Sequence, residues 1–148
     1  MDTSSVVERL RRLKDEVEGL QPYTRLSLEE YITDKVRQLA IERRLQLAAQ
    51  VCIDIGNYLV AYYGLQTPEI PESIFVILGR ENLIPQALGL EMVGIVRFRN
   101  ILVHGYLEVD PAKVHAVLTN GLSTFLEFAQ AIEELLERDE KENGEKAE

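Results

Sequence analysis

The sequence predicts an all-α protein, an antiparallel bundle of about five helices. Three observations carry that prediction: apolar residues recur at helical spacing along most of the chain, helix-start chemistry stands where new apolar runs begin, and no segment alternates with period two for long enough to form a sheet. A chain of 148 residues with 46% hydrophobic content suits one compact core. A single helical domain is assigned to 1–138, followed by a charged, flexible tail at 139–148. No internal repeat interrupts this plan.

The first helix is expected from Thr3 to about Gly19, where Val6, Leu10, Leu13 and Val17 share a face and Gly19 and Pro22 end the run. Ser27 followed three residues later by Glu30 has the form of a capping box, in which side chain and backbone satisfy each other's unpaired groups. From Leu28 the helical pattern continues through Tyr31, Leu39, Leu45, Ala49, Cys52, Ile55 and Leu59, which predicts one long second helix to Gly64. Pro68 and Pro71 mark a connector before a short helix from Ser73 to about Glu81. Pro85 suits the first turn of a fourth helix that reaches His104 or Gly105, because its missing amide would have had no partner there. Asp110 before Pro111 starts a fifth helix, carried by Val114, Leu118, Leu122, Phe125, Ala129, Ile132 and Leu136.

Composition excludes several classes of function. Asp54 and Asn57 interrupt the longest apolar run, and the N-terminus lacks the layout of a secretory signal, so a cytoplasmic protein with no membrane partner is expected. The lone Cys52 has no disulfide partner and reads as a small buried side chain. A formal net charge of −9 argues against a general nucleic-acid coat, since nonspecific binding relies on Lys and Arg to neutralise phosphates. The charge is uneven, however. Nine of the sixteen basic residues lie in the first 44 positions, and the last sixteen residues carry eight acids, so local basic surface is compatible with the global sign.

The stretch RFRNILVHGYLEVD, 97–110, concentrates chemistry at the end of an apolar helix. Arg99 lies on the stripe of Leu88, Met92, Ile95 and Leu102, where a guanidinium needs either a partner or a water-filled cleft. Asp54, in the pattern VCIDIGNYL, is the candidate partner. His104 shares a face with Arg97 and Asn100 and lies about 140° from Arg99 around an ideal helix. The two would meet either by unwinding near Gly105 or through a cleft shared with another subunit. A helix-capping role for His104, complementing the helix dipole, is the plainer alternative.

RNILVHGY, with Arg99, Asn100, His104 and Tyr106, resembles the signature of the HepT-like toxins of the HEPN superfamily, helical ribonucleases found in higher eukaryotes and prokaryotes. The resemblance extends back through IERRLQLAAQVCIDIGNYLVAYYGL and forward through VDPAKVHAVL, covering roughly 30–135. It implies an HEPN-like homodimer that brings two Arg/His sets into one cleft and cleaves RNA without a metal or other cofactor. It also implies an operon-paired nucleotidyltransferase antitoxin that attaches AMP to the tyrosine of the motif, here Tyr106.

The residue types suit this chemistry. RNA supplies its own nucleophile, the 2′-hydroxyl, so the enzyme needs a proton-transfer group and a cation for the charge developing on phosphorus. His104 is the candidate acid or base, and Arg99 the candidate clamp for the scissile phosphate. Asn100 is placed to orient His104 or a phosphate oxygen, and Asp54 to position Arg99. An AMP group on Tyr106 would obstruct the cleft and repel RNA phosphates. A metal set of His104, Glu108, Asp110 and His115 matches no ligand spacing and is set aside. The competing function is a noncatalytic helical module that binds the nucleotidyltransferase.

Overall fold

The computed structural model describes residues 2–105 and 109–147, and these form helices without strands. In order they are α1 (Thr3–Leu20), a 3₁₀ turn (Gln21–Tyr23), α2 (Leu28–Ile32), α3 (Lys35–Tyr62), α4 (Ser73–Arg80), α5 (Gln86–His104), α6 (Pro111–Asn120) and α7 (Leu122–Ala147). The all-α architecture matches the sequence prediction, but seven helices stand among the described residues where about five were expected.

Both extra helices arise from breaks that the apolar periodicity runs across. Ser27 and Glu30 do form the capping box that starts α2, but the helix stops after Ile32. Asp34 then takes extended backbone geometry and caps α3 by accepting from the Arg37 amide at 3.0 Å. The carbonyls exposed by the break are satisfied locally. Thr33 Oγ1 donates to Glu30 O at 2.7 Å, Arg37 Nη2 to the same oxygen at 2.5 Å, and Gln38 Nε2 to Ile32 O at 3.2 Å. The expected fifth helix is likewise divided at Gly121, where a Cβ would lie 2.8 Å from the Val117 carbonyl oxygen. Asp110 caps α6 as expected, accepting from the Ala112 amide at 2.9 Å.

Two other boundaries differ from the sequence reading. Pro85 is the residue before α5 rather than part of its first turn. The segment from Asp139, set apart as a tail, continues α7 as helix to Ala147. Asp139 belongs to the packed body, since Tyr63 Oη donates to its Oδ1 at 3.4 Å while Asn143 Nδ2 donates to its Oδ2 at 3.3 Å.

The core is shared by α1, α3, α5 and α7, with α4 packed on α5 and α3. Side-chain contacts fix the helix directions. Tyr58 Oη, near the end of α3, donates to Asp2 O at the start of α1 at 2.9 Å, and Arg44 pairs with the buried Glu16 at 3.3 Å, so α1 and α3 are antiparallel. Arg138 reaches Leu83 O while Thr124 reaches Glu91, which sets α7 antiparallel to α5. Phe75 of α4 meets Phe128 of α7 edge to face at 5.4 Å between ring centres, a favourable quadrupole arrangement at the middle of the core.

The small helices close one end. His115 Nε2 donates to Leu26 O at 2.6 Å, and its ring lies 5.9 Å from that of buried Tyr31, tying α6 to α2. No helix among the described residues is long and apolar enough to cross a membrane.

Candidate functional site

Helix α5 carries Arg99, Asn100 and His104, and its helical geometry persists to His104. Gly105 then caps it, donating its amide to Ile101 O at 2.7 Å, and a Cβ there would fall 2.7 Å from that oxygen. Unwinding therefore does not bring Arg99 and His104 together within one chain. On a regular helix the two side chains project about 140° apart.

Their surroundings differ accordingly. His104 is exposed at the helix C-terminus, where a histidine can meet solvent or another molecule. Arg99 is half-buried and donates through Nη1 to Asn100 Oδ1 at 3.1 Å, while its Nε is shut off from solvent and makes no hydrogen bond among the described residues. Two residues before Arg99, exposed Arg97 approaches Glu72 at 4.0 Å, the outer limit of an ion pair.

Asp54 does not form the ion pair with Arg99 that the sequence suggested. It accepts instead from Gln50 Nε2 at 2.9 Å, an i, i+4 contact along α3 that satisfies the carboxylate on its own helix. Gln50 in turn lines the same cavity as Arg99. Tyr106, the expected modification site, lies outside the described residues, as does Glu108.

Arg99 and Asn100 line a cavity of about 440 Å³ between α3, the connector that follows it, and α5. Its other polar walls are Gln50, Asn57, Thr67 and Glu69. None of these four was among the site residues expected from the sequence, where Asn57 was noted only for interrupting an apolar run. A signal for two of them was present: Gln50 and Asn57 sit seven residues apart around Ile53, a spacing that places all three on one side of α3. Glu69 and Thr67 come from the connector and had no such periodic mark. Among the described residues no group of three or more His, Cys, Asp or Glu side chains is placed to hold a metal ion.

The sequence profile of the family described as Ribonuclease HepT-like matches residues 13–132. The chain is 27% identical over 135 residues to the tRNA nuclease HepT of Aphanizomenon flos-aquae, covering 91% of this chain and 92% of that protein. It is 32% identical over 99 residues to the mRNA nuclease HepT of Shewanella oneidensis, covering 67% of this chain and 74% of the relative. Among solved structures, the tri-AMPylated Shewanella oneidensis HEPN toxin in complex with its MNT antitoxin superposes with a TM-score of 0.79 at 26% identity, covering 90% of this chain and 98% of that one.

Proposed function

Because the chain belongs to the Ribonuclease HepT-like family, we propose that it is the metal-independent endoribonuclease toxin of a toxin–antitoxin pair. It works as a homodimer with Arg99 and His104 at the shared cleft, and a nucleotidyltransferase antitoxin silences it by attaching AMP to Tyr106. The observation that carries the site assignment is the placement of a half-buried arginine and an exposed histidine on divergent sides of one unbroken helix. A centre that needs both groups is then built from two chains.

In this site a base removes the 2′-hydroxyl proton, the 2′-oxygen attacks phosphorus, and the departing 5′-oxygen is protonated, leaving a 2′,3′-cyclic phosphate and a 5′-hydroxyl. His104 supplies one of the two proton transfers and water the other. Arg99 holds the phosphate as charge builds on its oxygens, and its bond to Asn100 restrains the guanidinium for that role. Asp54 bonds Gln50 rather than Arg99 and is given no direct part in holding the phosphate. Apolar surface for dimerisation is present at the adjoining ends of α2 and α3, where Ile32, Val36 and Leu39 are 51%, 78% and 54% exposed.

The test is cleavage of labelled cellular RNA in EDTA by wild type, Arg99→Ala and His104→Ala, with end-group analysis and with Tyr106 verified as unmodified. Cleavage by wild type alone with cyclic phosphate ends is the expected result. Equal inactivity of three folded, unmodified preparations would replace the enzyme by a noncatalytic module that binds the nucleotidyltransferase. Mixing the two variants probes the shared centre. If Arg99 of one chain works with His104 of the other, random exchange regenerates about a quarter of wild-type activity, half the dimers being mixed and each having one intact centre of two. A monomeric mass in sedimentation at micromolar concentration would exclude the dimer.

A further inference from the structure

The cavity beside Arg99 has a composition that phosphate binding does not explain. Among the described residues that line it, Arg99 is the only cation, and the Glu69 carboxylate offsets that charge. A second phosphate would meet that carboxylate with no additional basic group to receive it. Four other polar side chains, Gln50, Asn57, Thr67 and Asn100, offer both donors and acceptors, while Ile53, Ile74, Pro68 and Pro71 supply apolar walls. A volume of about 440 Å³ lies within the range of small-ligand sites, and apolar walls with a few convergent polar groups are the usual build of such sites.

Two atoms sharpen the picture. Gln50 Oε1, an acceptor, and Arg99 Nε, a donor, are both buried and both without a hydrogen bond among the described residues, although they belong to side chains that border the same cavity. Buried polar atoms in folded proteins are nearly always paired, so a donor and an acceptor left over at one place mark unused binding capacity.

From these features, and resting on the ribonuclease reading above, we propose that the cavity is a base-recognition subsite that receives the nucleobase next to the phosphate held by Arg99. It selects bases bearing an exocyclic amino group. Single-stranded RNA is commonly read this way, with a base splayed out and bonded along its Watson–Crick edge. Glu69 and Gln50 Oε1 both accept, which favours a base that donates. Guanine fits best, because its N1–H and N2–H₂ offer parallel bonds to one carboxylate while O6 accepts from the side-chain amides of Asn57 or Asn100. Uracil, with one ring N–H and two carbonyls, leaves an acceptor of the site unpaired and is the base most disfavoured.

Two measurements separate this subsite from the activity it serves. The first maps cleavage positions on a random RNA pool for wild type, Gln50→Leu, Asn57→Ala and Glu69→Gln. Asn57 and Glu69 are exposed, so their variants preserve the core. Wild type is expected to prefer guanine over uracil about tenfold at one position flanking the cut, and the variants to lose that preference, the size expected for a good two-bond base contact. A structural role would lower the rate without changing the base profile. Preference for uracil, no preference in wild type, or an unaltered profile in all three variants overturns the subsite and leaves the ribonuclease assignment standing. The second measurement titrates GMP and UMP separately and follows the side-chain amide signals of Gln50 and Asn57 by NMR. Shifts with GMP at concentrations where UMP gives none support the subsite even if the preparation proves inert on RNA, and no shift with either overturns it.

Discussion

Alanine placed at two glycines of α5 should have effects of opposite sign. A Cβ on Gly89 would stand 2.6 Å from the Phe75 carbonyl oxygen and 3.7 Å from the Gly79 Cα, both backbone atoms of α4. Carbon–oxygen contacts of this kind settle at roughly 3.3 Å or more, so α4 and α5 must part by about 0.7 Å. No rotamer change relieves the clash. The better helix propensity of Ala returns about 1 kcal/mol, whereas overpacking costs about 1–3 kcal/mol. With backbone on both sides the upper part of that range applies, giving a net loss of about 2 kcal/mol. Gly94 is exposed, and among the described residues nothing lies within 4 Å of where its Cβ would stand, so Gly94→Ala keeps only the gain, about 0.5–1 kcal/mol. For a chain of this size 1 kcal/mol moves the melting temperature by about 3 °C. Thermal unfolding followed by circular dichroism should place Gly89→Ala about 6 °C below wild type and Gly94→Ala about 2 °C above it. A Gly89→Ala protein that melts at or above wild type would refute the close approach as the reason for glycine.

Ser27→Ala removes the N-cap of α2 and should cost about 1 kcal/mol, read from the urea midpoint. Hydrogen bonding with Ser27 holds the Glu30 carboxyl below its usual pKa, so its stabilisation is present above the usual carboxylate range and is lost as pH falls through the lowered folded value; Glu30→Gln should flatten that part of the acid limb. Cys52 is fully enclosed and burial raises its thiol pKa, so an aromatic disulfide reagent should label it only as fast as the protein opens, and stoichiometric labelling within seconds in native buffer would contradict its placement. Burial, helped by the nearby Asp139, pushes the Tyr63 hydroxyl up to about 12. The unfolded chain then ionises first, near ~10, so stability should be complete below that pH and decline towards pH 12, with a shallower decline in Tyr63→Phe.

Chemistry that acts locally was legible in the sequence. The Ser27–Glu30 box and the Asp110–Pro111 start need only neighbours within a turn, and both form as read. The breaks at Asp34 and Gly121 were hidden because periodicity records which residues face the core, and a helix that restarts against the same core preserves that record. At Asp34 the signal was a capping side chain three residues before Arg37, which a long apolar pattern outweighed. Arg99 and His104 stood out because a guanidinium on an apolar stripe contradicts its surroundings. The cavity beside Arg99 did not, since Gln50, Asn57 and Glu69 come from two separate segments and each alone resembles ordinary solvated surface. Asp54 misled for the related reason that one sequence cannot say which of several polar neighbours a carboxylate will take.

The packing that stabilises α4 also forms the cavity. Gly89 lets α5 approach α4, and on the opposite side Gly56 of α3 faces Ile74, whose Cγ2 would lie 2.5 Å from a Cβ at that position. These two glycines seat α4 closely against both neighbours. Ile74 is a wall of the cavity, and the connector carrying Thr67, Pro68, Glu69 and Pro71 enters α4 immediately before it. Holding α4 in place therefore also sets how that connector overhangs Arg99. A core substitution that moves α4 by a fraction of an ångström alters the site without touching a polar residue. Gly89→Ala protein that stays folded below its lowered melting point should accordingly show a blurred base preference as well as reduced stability, whereas Gly94→Ala should change stability alone.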